Sequence, residues 1–402
     1  MQMVIKRLWL PMMLLCLILC GCTRSEKMSE SVQQAATQIT LTAPKTYSGV
    51  LRNLIQSFEE TNPDIRVNYV EIRGDLNKLY DIYTAPLNAG DSTVDVFLLD
   101  NVWIPSFGAK NFAEPLDYSA EEKAKFEQSV LSECTYEGNT IAAPFSIDMG
   151  WVYYRKDLIT NPPNSWEDWI ALGRQLVQQE QVRYGGVIQG KDGEEMLCTA
   201  REFINATADT AQGLRLYKEV LSLGGEEVNL DSTTYVKAFS LGEAAFMKAG
   251  STAWQVINQD GSEVKMKVAA VPLPSHTEER SASLLGGTGL AVNRFSEKKE
   301  ESVRLVRYLT GEEAQTQAAV GFGIMPTLRS VYENYRVAEE NPHFDFVHRL
   351  GYDRVIRKGT SVSYLEQAEK AEQYLESFLS DTMDAETAAI GIDAVLGNRK
   401  AE

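Results

Sequence analysis

The chain has 402 residues, 44% of them hydrophobic, which is enough to build two or three domains with cores of ordinary size. Its formal net charge is −17, and because Lys6 and Arg7 are the only charged residues among the first 21, a chain without that segment carries −19. That balance argues against nucleic acid, whose binding needs a positive surface, and against broad adhesion to anionic lipid heads. It reads as a solvated acidic surface.

Chain order begins with a leader. Lys6-Arg7 forms a short basic region, and Leu8 to Leu19 is an apolar run broken only by Pro11. The run falls short of the ~20 apolar residues of a transmembrane helix but suits the hydrophobic region of a secretory signal. Leu19-Cys20-Gly21-Cys22 follows it. Residues 23–38 are rich in Ser, Glu, Gln and Lys and have little to bury, so they read as a flexible tether.

The body opens with a β-type run, Ile39 to Thr42. Val50, Leu51, Leu54, Ile55 and Phe58 recur at helical spacing, and Asn62-Pro63 stops that helix. Ile65, Val67 and Tyr69 alternate as a strand, a helix runs from about Leu76 to Asn88, and Val94 to Leu99 reads as a buried strand ending on Asp100. This β-α-β-α-β rhythm predicts an α/β fold with a parallel sheet covered by helices, in which ligands bind beyond the carboxyl ends of strands. Asp100 and the stretch Pro144-Phe145-Ser146-Ile147-Asp148 occupy such ends.

Beyond Trp151-Val152-Tyr153-Tyr154 the pattern is more helical. Ser165 with Asp168 has capping-box spacing, and Leu214, Leu216, Tyr217, Val220 and Leu221 mark an amphipathic helix. Val264 to Pro274 and Leu284 to Val292 are strand-like, helices start near Lys298 and Gly311, and the C-terminal third is mostly helix. Of the five cysteines only Cys134 and Cys198 lie in the body, and they are expected to stay separate. His276, His343 and His348 are scattered, and no Cys/His spacing suits a metal. Glu194-Glu195 and Glu226-Glu227 read as solvated pairs.

Five stretches, in order, carry a family resemblance. They are Val94-Asp95-Val96-Phe97-Leu98-Leu99-Asp100 with Trp103 and Glu114-Pro115-Leu116-Asp117; Ala143 to Gly150 leading into Tyr153-Tyr154-Arg155-Lys156-Asp157-Leu158; Gly242-Glu243-Ala244-Ala245-Phe246-Met247 before Trp254; Val271-Pro272-Leu273-Pro274 before Gly286-Gly287; and Arg307-Tyr308-Leu309-Thr310 before Glu313-Ala314-Gln315. Between about residues 39 and 395 the chain resembles the extracellular solute-binding proteins of ABC importers, in the group that carries malto-oligosaccharides and trehalose. The segment ending at Cys22 is similar to the bacterial lipobox, with Cys20 at a place usually held by Ala or Ser.

The resemblance implies a two-lobe, periplasmic-binding-protein-like fold with hinge segments and a helical C-terminal region. Signal peptide 1–21 and tether 22–38 would precede an N-terminal lobe of 39–146 with 288–312 and a C-terminal lobe of 147–287 with 313–402. Crossings would fall near Ser146–Asp148, Gly286–Thr288 and Thr310–Gln315. It implies lipidation of Cys22, attachment to the membrane by that lipid alone on the extracytoplasmic side, a monomer, no cofactor, and a permease as partner. Carboxylates accept from sugar hydroxyls and aromatic rings stack on C–H faces, so the resemblance places sugar contacts at Asp100, Asp148 and Trp254 and a backbone approach to ligand at Gly286 and Gly287. Asp100 could instead cap the helix that follows it, Asp148 serve the hinge and Trp254 the core, and Trp103 and Phe145 are further candidates whose default reading is packing.

The chain departs from these relatives in three places. Lys45-Thr46-Tyr47 stands where they have an acid, which makes Tyr47 the candidate there. Thr288 stands where they have an aromatic ring. Their C-terminal Arg is matched by Arg357, Arg354 or Thr360, while Lys78 stands in for another Arg. Three other readings stay open. One is a glycoside hydrolase using Asp100 and Asp148. Another is a receptor for a non-sugar solute, with Lys45 and Arg73 favouring an anion. The last is an adhesin or sensor on the same fold.

Overall fold

The computed structural model describes residues 36–190, 193–225, 232–276, 281–350, 356–357 and 361–397, with the backbone alone at 232, 348–350 and 356–357. Cys22, Arg354, Thr360, Glu226 and Glu227 lie outside the described residues. Twelve strands are described: β1 Thr37–Pro44, β2 Ile65–Ile72, β3 Val96–Asp100, β4 Thr135–Tyr136, β5 Asn139–Thr140, β6 Ala143–Asp148, β7 Trp151–Arg155, β8 Tyr184–Val187, β9 Ala244–Ala249, β10 Val268–Pro272, β11 Leu284–Val292 and β12 Ile356–Arg357. They form a first sheet in the order β12-β11-β3-β1-β2 with β6 also on β11, a second sheet in the order β10-β7-β9-β8, and the small hairpin β4-β5.

The expected rhythm builds the first sheet. β1 is an interior strand, with Ile39, Leu41 and Ala43 fully buried, and it pairs in parallel with β2 and β3. The helix Ser48–Thr61 lays Val50, Leu51, Leu54, Ile55 and Phe58 into this core, the spacing seen in the sequence. Parallel pairing does not extend across the whole sheet. β11 enters from the second sheet and runs antiparallel to both β3 and β6, so the sheet is mixed. Buried Asp95 holds β3 in place: its carboxylate accepts from the Thr40 amide at 2.8 Å and the Ser296 hydroxyl at 2.6 Å, beside the Lys298 ammonium.

The second sheet is covered by the helices Trp166–Gln178, Thr210–Leu221 and Ser232–Ser240, with Gly193–Asn205 packed on Thr210–Leu221. Ser165 caps the first of these, accepting from the Asp168 amide at 3.2 Å. Trp151, Trp166 and Trp169 are buried, as packing residues. Helices Tyr364–Leu379 and Ala385–Leu396 pack on one another and on this layer, while Glu312–Phe322 packs on Ser48–Thr61 beside the first sheet. The chain passes from first to second sheet at Met149-Gly150, between β6 and β7, and returns between β10 and β11. The positions expected at two crossings sit side by side on neighbouring strands, with Gly286 opposite Asp148, Gly287 opposite Ile147 and Thr288 opposite Ser146. Among the described residues no helix is long and apolar enough to cross a membrane.

Candidate functional site

The carboxyl ends of β3 and β6 flank the middle of β11 in the first sheet. Thr288 of β11 lies opposite Asp100 at the end of β3 and also opposite Ser146 of β6, two residues before Asp148. Buried hydroxyls of Ser146 and Thr288 are hydrogen-bonded at 2.8 Å. Tyr47, on the short helical turn that follows β1, brings its hydroxyl to 3.5 Å from Ser146 Oγ, and its ring meets Phe145 edge to face. Burial pushes the Tyr47 phenol up to about 12, and the nearby charges of Asp148 and Asp100 add to the shift while the Ser146 and Thr288 hydroxyls oppose it. The phenol is therefore held neutral within the field of two carboxylates.

Gly287 is required by this arrangement. Its φ is +150°, and a Cβ built there would lie 2.2 Å from the carbonyl oxygen of Ser146. The close approach brings the end of β6 against β11.

Asp148 reaches toward the second sheet. Its exposed carboxylate accepts from the Ser251 amide at 3.2 Å and the Ser251 hydroxyl at 3.4 Å, just after the end of β9. Gly250 makes room: a Cβ there would stand 2.8 Å from Asp148 Oδ1. Tyr153 of β7 fixes the same turn by donating to the carbonyl of Gly250 at 2.9 Å. Asp100 is half-buried and accepts from the Val102 amide at 3.1 Å, so it caps the helical turn after β3.

Trp254 follows three residues after Ser251, on the short helix Ala253–Asn258. Its indole N–H donates to the Glu340 carbonyl at 2.7 Å, and its half-buried ring lies 5.0 Å from the His343 ring and 6.3 Å from that of Tyr153. His343 is buried among Trp151, Tyr153, Trp254 and Phe344, and neither ring nitrogen has a hydrogen-bond partner among the described residues. Burial pulls its pKa down to about 3. The folded chain therefore keeps this imidazole neutral where an unfolded one, near 6.5, takes up a proton, so the His343 contribution to stability falls as pH drops from about 6.5 toward 3. His343→Phe removes the titration. Its melting temperature relative to wild type is expected to rise between pH 7 and pH 5, by the equivalent of about 2 kcal/mol. A difference that is constant across that range in thermal melts would contradict this account.

The other sequence candidates separate. Trp103 is fully buried, with Tyr80 and Tyr83 against it, and Phe145 is buried behind Tyr47, so both rings pack inside the protein instead of facing solvent. Lys78 is exposed in the first turn of Leu76–Leu87. Gly286 is half-buried opposite Asp148. Arg357 is placed by its backbone alone, paired with Leu285. Cys134 and Cys198 are not bridged. Glu194 departs from the solvated reading: it is buried and accepts from the Tyr364 hydroxyl at 2.7 Å and the Cys198 thiol at 2.9 Å.

Sequence reasoning missed Ser146 as a polar centre, although it lay inside a quoted stretch. It also missed Ser251 and the buried pair Glu202–Lys248, whose partners are far apart in the chain and fit no spacing pattern. Among the described residues no group of His, Cys, Asp and Glu could hold a metal.

Two α/β layers with polar groups converging where their strands meet define a protein that binds a small solute between lobes. The chain belongs to the bacterial extracellular solute-binding protein family, whose pattern matches residues 53–345. A probable ABC transporter-binding protein of Deinococcus radiodurans is 28% identical over 323 residues, 73% of this chain and 76% of that protein. The solved structure of maltose-bound T. maritima MalE3 superimposes with a TM-score of 0.83 at 25% identity, covering 90% of this chain and 99% of that one. The GacH receptor of Streptomyces glaucescens, solved unliganded and with acarbose, superimposes with a TM-score of 0.76 at 20% identity over 91% and 100% of the two chains, a likeness of fold.

Proposed function

We propose that this chain is the receptor of an ABC importer, capturing a neutral sugar or polyol between its lobes and presenting it to membrane permease subunits, without itself making or breaking bonds. The observation that carries the reading is the meeting of Tyr47, Ser146 and Thr288 with Asp148 and Asp100 where β6 and β3 end beside β11. Hydroxyls and carboxylates in that density suit a ligand that is itself a cluster of hydroxyls, and Trp254 supplies a half-buried ring for its C–H face. The maltose-bound relative supports a carbohydrate over other solutes. The first lobe is taken as 39–146 with 288–312 and the helix Glu312–Phe322 that packs on it, the second as 147–287 with the helices Tyr364–Leu379 and Ala385–Leu396, closing about the crossings.

Isothermal calorimetry against a panel of mono- and disaccharides and sugar alcohols tests the reading. At least one is expected to bind, and Trp254→Ala is expected to weaken it by about 10-fold, the worth of one aromatic face at ~1–1.5 kcal/mol. Binding of only a non-carbohydrate solute would sink the sugar assignment, and unchanged affinity in the variant would remove Trp254 from the site.

The anchor is a separate proposal. A diacylglycerol on Cys22, with a further acyl chain on its amine, would hold an acidic receptor at the outer face of the membrane as a monomer, since one chain alone attaches only marginally. Cys22→Ser is expected to move the protein from the detergent to the aqueous phase of a Triton X-114 partition and to leave solute binding intact. Retention in the detergent phase would refute lipidation at this position.

A further inference from the structure

Both passages between the two sheets meet one buried ion pair. Glu202, on the helix Gly193–Asn205, and Lys248, on β9, are almost wholly buried and in direct contact, and Lys248 Nζ also donates to Thr199 Oγ1 at 3.2 Å. Glu202 Oε1 accepts from the amide of Leu284, the first residue of β11, at 3.2 Å. The other passage is pressed against the same two side chains. A Cβ at Gly150 would lie 2.6 Å from Glu202 Oε1, 2.9 Å from Leu273 Cδ1 and 3.1 Å from Lys248 Cε, so any larger residue would displace these side-chain ends. The passages are also tied to each other, since the Ser283 hydroxyl donates to the Gly150 carbonyl at 2.7 Å.

A buried ion pair is weak evidence for stability, because desolvation offsets much of the attraction. Its position is more informative. It touches Gly150 and the Leu284 amide, at the two crossings where any rotation of one lobe on the other must change the backbone. Lys248 is also three residues before Ser251, which holds Asp148. We propose that Glu202 and Lys248 are positioning residues that latch the two crossings, setting the resting separation of the lobes and, through β9, the presentation of Asp148 to the solute. This deepens the two-lobe receptor reading without depending on which solute binds.

The test uses the full chain without ligand, so that a wrong sugar assignment cannot disguise a wrong latch. Glu202→Gln alone strands a buried ammonium and risks the fold, so the decisive variant is Glu202→Gln with Lys248→Met. That variant removes both charges and keeps an acceptor for the Leu284 amide. Its melting temperature is expected to stay close to that of wild type. Small-angle scattering is expected to show a changed radius of gyration, and amide exchange in 147–152 and 281–288 to accelerate about tenfold relative to the sheet interiors. A scattering profile that superimposes on wild type, or faster exchange spread evenly over both sheets, would overturn the latch and leave the pair a packing feature.

Discussion

Gly287→Ala is expected to be among the most destabilising single substitutions in the chain, at roughly 3–5 kcal/mol. Two causes act together. The residue has a φ of +150°, which a side chain tolerates poorly, and its Cβ would meet the Ser146 carbonyl at 2.2 Å, well inside contact distance. Neither neighbour can yield cheaply. Ser146 is buried and hydrogen-bonded to Thr288, and the clash is with backbone, not with the end of a flexible side chain. The melting temperature is expected to fall by roughly 5–10 °C, and because β6 and β11 carry Asp148 and Thr288, solute affinity is expected to fall with it. Gly321→Ala is the matched control, since that glycine lies in the helix Glu312–Phe322 with no atom within 4 Å of the added Cβ. It is expected to be neutral or slightly stabilising. Equal thermal shifts in the two variants would mean that β11 can separate from β6 at little cost.

This glycine shows how far the sequence could be read. Gly286-Gly287 entered through the family resemblance, as a backbone approach to ligand. The sequence could not say that the obstacle for Gly287 is the chain's own Ser146 carbonyl, because that contact spans residues 146 to 287. The first sheet was legible directly, because helix and strand periods in residues 39–100 are local and strong. The antiparallel course of β11 was not, since it follows from a return out of the second sheet that no local pattern encodes. Trp103 was a site candidate whose default reading was packing, and it packs. It points inward onto Tyr83 because the turn capped by Asp100 rotates it away from the strand end. Glu194 read as solvated from its neighbour Glu195, yet the helix turns one inward to Tyr364 and the other outward. Adjacent positions on a helix do not share a face.

Asp148→Asn is expected to cost the largest share of binding with the smallest change in fold. The amide oxygen of Asn can still accept from the Ser251 backbone, so the tie between the end of β6 and the turn after β9 survives. What disappears is the charge. A hydrogen bond to a carboxylate is worth about 1.5–3 kcal/mol, against about 1 kcal/mol for a neutral acceptor. Burial raises the pKa of Tyr47 in the first lobe and of Tyr153 and Tyr235 in the second, and the field of Asp148 adds to each rise. Such a carboxylate, exposed between two lobes, is placed to accept from ligand hydroxyls as the lobes close over them. The affinity for whichever sugar or polyol binds wild type is expected to fall 10- to 100-fold by calorimetry, with the melting temperature of the unliganded chain nearly unchanged. An affinity within threefold of wild type would mean that Asp148 serves only to hold Ser251, and the acceptor role would then pass to Asp100, whose own Asn variant separates the two cases.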